Sequence, residues 1–519
     1  MRTPFRAATF LGATLAVFWP PSPSQQHHEH PAPEKFGEVS FPISCSPESQ
    51  GPFNQGVALL HSFAYSAAEK TFRKIGEADP KCAMAHWGVA MSYYHQLWEP
   101  PIASAESQRG QMEIRRARVI GGPSAREQSF IDALALIYKD ASRVPYATRA
   151  LAYEKAMGSA ASRYPTDPES QIFYALALLV TASPMDRNHT NQKRAAEILE
   201  PIYKQYPQHP GIAHYLIHAY DSPGLAICGL PAARAYAQIA PSAPHALHMP
   251  SHIFTHLGLW EDSVHSNIAA REAAHAQGDI GEELHAMDFL MYAYLQQGRN
   301  AEALRLLQEL RAMPDLPVGQ FKVGYAATAM PIRYAVERGE WAEAAAIPPN
   351  AGTQPQVSAM TYWCHAIALA RNHKPSDATP ELQRLNQALL EVRREHDAYW
   401  AEQLQIQLKE AEGWIALARG QQTTAVSLLR AAAETEDNLE KRPVTPGPIV
   451  PAREQLGDLL LGLNRASNAL REFEVSLKNA PGRRGALIGA ARAARMTGDS
   501  TKANQFEQEL RALTPESTP

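Results

Sequence analysis

The chain has 519 residues, with 49 Lys and Arg against 53 Asp and Glu and a formal net charge of −4. That balance argues against nucleic acid as a general partner, because phosphate-binding surfaces carry a basic excess. With 45% hydrophobic and 20% charged residues, a packed core is feasible and global disorder is excluded. Length alone suggests roughly three domains. An excess of 40 Pro over 30 Gly suits rigid stops between helices better than a Gly-punctuated β-sheet, and 20 His is a high count.

In chain order, residues 1–26 read first as an export signal. Arg2 and Arg6 precede an apolar run from Ala7 to Trp19, closed by Pro20-Pro21-Ser22-Pro23. The run falls short of the ~20 residues that a bilayer span needs and suits a signal-peptide core. A periplasmic or secreted protein is expected, with no membrane span in the mature chain. Residues 27–49 form a Pro/His-rich extension whose His27-His28-Glu29-His30 tract reads as a solvated linker with, at most, weak metal affinity. The four cysteines contain no C-x-x-C, which excludes a zinc ribbon or a thioredoxin-type motif. In an exported chain, Cys45 and Cys82 can form one disulfide that ties the extension to the first hairpin. Cys228 and Cys364 read as small buried residues.

From residue 50 onward a six-residue turn recurs, opening on Gly and closing on Ala. It runs from Gly298 to Ala303, Gly339 to Ala344, Gly420 to Ala425 and Gly498 to Ala503, with weaker copies at Gly258 to Ser263 and Asn464 to Ala469. Each lies between apolar runs of helical spacing, such as Leu290, Tyr292, Leu295 and then Leu304, Leu307, Leu310. Glycine supplies a left-handed helix cap, and alanine lets the second helix press close against the first. The step from Asn464 to Gly498 is 34 residues, the tetratricopeptide period. Pro80, Pro168 and Pro210 close one helix ahead of the next.

With Gly56, Ala68, Phe72 and Pro80 spaced as in that family's first repeat, the chain resembles a tetratricopeptide repeat (TPR) protein over residues 50–515, with interruptions. The expected fold is all-α, an α-solenoid or superhelix of antiparallel helical hairpins. Its expected parts are an array at 50–345, an irregular helical connector at 346–399 and a C-terminal array at 400–515. The resemblance implies a concave groove that binds a protein or peptide ligand.

Seven of the 20 histidines fall within 209–256. On a helix, His214, His218 and Asp221 share a stripe about 60° wide, and His245, His248, His252 and His256 an arc of about 80°. Imidazoles at i and i+4 can share one metal ion, and a carboxylate can complete the set. The candidate site is therefore His214, His218, Asp221, His245, His248, His252 and His256, with Cu, Fe or Zn as the metal. Pro250 leaves open whether the second group lies on one helix. His61, His95 and Trp98 are candidate groove residues, while Trp260 and Trp341 read as packing at hairpin bends, and Glu282-Glu283 and Glu402 as solvated helix faces. Motifs of serine hydrolases, zincins, P-loop and Rossmann proteins are absent. Two functions stand: an exported scaffold binding a protein or peptide, or a metal-binding protein or metalloenzyme framed by the repeats.

Overall fold

A computed structural model describes Met1 and residues 34–97, 102–120, 123–439 and 441–514. Nearly all of the 1–26 signal, the His27–His30 tract and Trp98 lie outside the described residues. Met1–Glu34 is a unit by itself, and the description below concerns Lys35–Pro519.

Among the described residues the chain is all helical. It opens with α1 (Pro47–His61), α2 (Tyr65–Ala78), α3 (Ala83–Ser92), α4 (Ser104–Ile120), α5 (Ala125–Tyr138) and α6 (Tyr146–Arg163). The middle follows as α7 (Pro168–Val180), α8 (Thr190–Gln205), α9 (Pro210–Ala219), α10 (Ala226–Ile239), α11 (Pro244–His248) and α12 (Pro250–Leu257). Then come α13 (Trp260–Gln277), α14 (Ile280–Gln296), α15 (Asn300–Ala312), α16 (Phe321–Glu337), α17 (Trp341–Ala345), α18 (Pro355–Arg371) and α19 (Thr379–Arg394). The chain ends on α20 (Ala398–Ala418), α21 (Gln422–Glu436), α22 (Ala452–Gly462), α23 (Ala466–Asn479), α24 (Arg484–Thr497) and α25 (Ser500–Ala512). Consecutive helices pack as hairpins, and alternate helices such as α14, α16, α18 and α20 also touch in sequence, as a solenoid requires.

The turn chemistry is local and holds throughout. Gly258, Gly298, Gly339, Gly420 and Gly498 have φ between 69° and 80°, and Asn464 has 58°. The residues that close those turns, Ser263, Ala303, Ala344, Ala425, Ala469 and Ala503, are all buried. A second device repeats at both ends of the array. Phe72 on α2 lies between Gly56 of α1 and Gly88 of α3, and Phe473 on α23 lies between Gly457 of α22 and Gly489 of α24. A Cβ at any of these four glycines would collide with the ring, so each phenylalanine glues one repeat to the next.

Several expectations change. The stretch 346–399 holds the hairpin α18–α19, packed on α16 and α20 within one core that runs from Tyr325 to Phe506. The repeat continues there, because Val357, Trp363, Leu385 and Leu389 supply the same apolar faces. Cys364 is buried, whereas Cys228 is exposed on the first turn of α10. Cys45 and Cys82 are joined by a disulfide with Cα atoms 4.9 Å apart. Ahead of it, residues from Lys35 run extended across the array: Glu38 N–H donates to Gln208 O at 2.9 Å, and Phe41 enters a ring cluster with Phe53, Trp87 and Phe130.

The array also bends back on itself. Trp260 is more than local packing, since its Nε1 donates to Gly482 O at 2.9 Å. Fully buried Arg483 reaches Glu454, Glu337 and the Tyr292 hydroxyl. Arg333, equally buried, pairs with Asp288 at 2.9 Å and donates to Gly447 O and Pro448 O. Arg333 thereby fixes the loop between α21 and α22 against α14 and α16, while Trp260 and Arg483 fix the turn between α23 and α24 against the middle of the chain.

Candidate metal centre

The site is built from four helices, three of them in the histidine-rich stretch. His209-Pro210 opens α9, with proline at the first turn where its missing N–H costs nothing. His214 and His218 then lie one turn apart on that helix. Pro244 opens α11 and Pro250 opens α12, and Met249 between them keeps helical angles (φ −53°, ψ −34°). The break at Pro250 therefore divides the helix without redirecting it, and His245, His248, His252 and His256 stay on its inner side. α14 crosses beneath and adds Glu282 and His285.

Two groups of three imidazoles result. His214, His218 and His245 offer nitrogens all within 4.8 Å of one another, as do His248, His252 and His285, and all six residues are buried. His214 Nε2 lies 3.1 Å from both His218 Nε2 and His245 Nε2, and His248 Nε2 lies 3.1 Å from His252 Nε2.

What stands behind the rings decides the chemistry. His214 Nδ1 is 2.6 Å from the His61 carbonyl, which can only accept, so this nitrogen carries the proton. His245 Nδ1 faces Glu282 at 3.3 Å, and His252 Nδ1 faces Asp221 at 2.9 Å. His248 Nδ1 is 2.7 Å from Asn267 Oδ1, whose amide nitrogen is committed to Ser263 O. Each of these rings, when neutral, presents a lone pair at Nε2. At His248 and His252, both held neutral by burial, two lone pairs thus face each other 3.1 Å apart.

The electrostatics keep His214, His218, His248, His252 and His285 neutral. Burial lowers His214, His218, His248 and His285 well below the ordinary imidazole value, and neighbouring imidazoles add to the effect. Burial takes His252 down to about 4 despite the carboxylate beside it. Burial would raise Asp221, yet the Lys441 ammonium and then His252 hold it well below the usual carboxylate range. Glu282 is likewise held low against its burial by Lys322 and His245.

Not all expected residues converge. Asp221 accepts from His252 Nδ1, from His256 Nε2 at 3.0 Å and from Lys441 Nζ at 3.0 Å, so its carboxylate is engaged outside both groups of three imidazoles. His256 is thereby drawn away from both triads. His61 contributes its carbonyl, while its ring bonds Glu169 at 3.0 Å and the Tyr215 hydroxyl at 2.8 Å. Glu169 also takes His209 Nε2 at 3.0 Å; burial would raise it, but the two imidazoles bring it to about 2. That knot props α1 and α7 against α9. His95 stacks on Tyr65 with centroids 4.5 Å apart. Glu282, expected on a solvated face, is largely enclosed because α14 packs against α11 and α13. Lys441 and His285 had no local signal: each enters from a distant part of the chain. His218, Asp221 and Lys441 line a cleft of about 210 Å³ together with Leu97, Tyr146 and Arg442.

No family model and no curated protein matches this chain. Among solved structures, the human IFIT1 dimer with m7Gppp-AAAA is similar at TM-score 0.39 and 12% identity, covering 83% of this chain and 90% of that one. A monomeric IFIT1 mutant with Gppp-AAAA gives TM-score 0.35 and 11% identity, covering 91% and 96%. Values this low carry nothing about ligand or activity. No helix among the described residues is long and apolar enough to cross a membrane.

Proposed function

We propose that this TPR-like helical-repeat protein binds transition metal through its buried histidines. The observation that carries the reading is the pairing of Nε2 atoms 3.1 Å apart whose Nδ1 atoms are already committed to acceptors. Nitrogens about 2.0–2.1 Å from a tetrahedral ion sit about 3.3 Å from each other, close to this spacing. Donors fixed from behind by carboxylate, carbonyl and amide groups are what a metal-binding imidazole requires. Copper, iron and zinc all suit imidazole.

The test is metal analysis of protein purified without chelators. Near-stoichiometric metal is expected, reduced in both His214→Ala and His252→Ala. No metal, together with no thermal stabilisation on adding copper, iron or zinc, would overturn the reading.

We infer export as well, since a disulfide at Cys45–Cys82 suits an oxidising compartment. Cell fractionation checks this, and recovery in the cytoplasmic fraction contradicts it. The cleft beside His218 supports a second reading, a protein or peptide ligand held by the repeat frame; the nearly balanced charge favours such a ligand over nucleic acid. A pull-down from periplasmic extract, repeated with Tyr146→Ala, decides it: a partner lost in the variant supports it, and no partner removes it.

A further inference from the structure

The two triads are neighbours, not remote sites. Inside the first, ring centroids are 4.8 Å apart for His214 and His218 and 4.9 Å for His214 and His245. Inside the second they are 5.0 Å for His248 and His252 and 4.3 Å for His248 and His285. Across the gap, His218 and His252 are 6.4 Å apart, and His245 and His248 are 6.3 Å apart. The step from one triad to the other is thus only slightly wider than the step between ligands of one triad.

The two halves are also built alike. Each takes an i, i+4 pair from one helical stretch, His214/His218 or His248/His252, and one histidine from another, His245 or His285. Each has one carboxylate–lysine pair behind a ligand: Glu282–Lys322 behind His245, and Asp221–Lys441 behind His252. Three nitrogens leave each ion a further coordination position, as in metal sites that handle exogenous ligands. Phe289 closes the second triad on one side, its ring 4.6 Å from His248 and 4.8 Å from His252. The side that meets the cleft is the one carrying His218.

We propose that the triads hold two nitrogen-preferring transition-metal ions as one dinuclear centre. His214, His218 and His245 bind one ion and His248, His252 and His285 the other, with a small bridging ligand of the hydroxide or azide class reaching both from the cleft. Ions in such paired sites stand about 3.5–4 Å apart, which the adjacent rings accommodate. The proposal rests on the metal-binding reading above and adds to it the number of ions and their coupling.

The probe is copper(II) on the full chain, stripped of metal, with His27, His28 and His30 replaced by Ala to remove the N-terminal tract. Two coppers per chain after gel filtration are expected, with an electron paramagnetic resonance signal well below that of two isolated ions. Azide is expected to change the optical spectrum of the loaded protein. His285→Gln is expected to keep one copper and to recover a full mononuclear signal. One copper per chain without that substitution overturns the dinuclear centre and leaves metal binding standing. Two coppers with full uncoupled signal overturn the shared centre, and no copper overturns both readings. The stoichiometry and signal of the unsubstituted site decide the matter even if His285→Gln does not fold.

Discussion

Four of the six imidazoles in the two groups are held from behind, and the holders differ: a carbonyl for His214, Glu282 for His245, Asn267 for His248 and Asp221 for His252. Loss of such a partner typically costs about 10–100-fold in metal affinity, because ring orientation and tautomer are no longer fixed. Glu282→Gln is expected to weaken metal binding by about that factor in competition with a chelator, with unchanged helix content. Affinity equal to the unsubstituted protein would show that Glu282 does not orient His245. A residue outside the site also contributes to the response to pH. Glu410 on α20 is 3% exposed and accepts from Trp363 Nε1 and Gln455 Nε2, each at 2.7 Å. Burial, then the nearby Glu436 charge, pushes its carboxyl well above the ordinary 4.5. The folded state therefore holds this proton more tightly than the unfolded chain. Its stabilisation is complete below the unfolded pKa and is lost as pH rises through the folded one. The buried imidazoles, with their lowered values, make stability rise with pH up to the ordinary imidazole range, whereas Glu410 opposes that rise. Glu410→Gln is therefore expected to raise the unfolding midpoint at neutral pH relative to the midpoint below about pH 5. An equal slope in the variant assigns the effect elsewhere.

At the scale of the helix pair, the phenylalanine held between two glycines sets how closely repeats approach. Gly489→Ala would drive Phe473 out of its seat between α22 and α24. The expected cost is about 1–3 kcal/mol, read from chemical denaturation, and a loss below a few tenths would show that the ring has room to move. The turn glycine and its alanine were legible in the sequence because they lie five residues apart, whereas the seating of Phe72 between Gly56 and Gly88 shows itself only in the packing. The histidine pairs on α9 and on α11–α12 were legible for the same reason, since i and i+4 share a face. His285 and Glu282 were not. They lie on α14, outside the rich stretch, and only the packing of α14 against α11 and α13 brings them in. Asp221 showed the opposite error. Helical register placed it beside His218, but the chain leaves the helix at Tyr220, and the carboxylate instead meets His252, His256 and Lys441.

Taken whole, the array departs from the independence of stacked repeats, in which each unit contacts only its neighbours. Arg483 bonds Tyr292, 191 positions earlier, and Glu337, 146 earlier. Removing one member of a buried ionic cluster costs about 3–5 kcal/mol, because the remaining charges lose their partner. Arg483→Met is expected to destabilise by that amount and to split calorimetric unfolding into two transitions as the C-terminal repeats come free. A single transition at the original temperature would show that the closure contributes little. The contact of Lys441 with Asp221 spans 220 residues. Ribosomes add about 5–20 residues each second, so the histidine-bearing helices precede Lys441 by on the order of 10–45 s. Repeats can fold as they emerge, yet a nascent or prematurely ended chain presents the imidazoles without the lysine that holds Asp221 in its charged form behind His252. Completion of the pocket thereby waits for the loop between α21 and α22, 220 residues after Asp221.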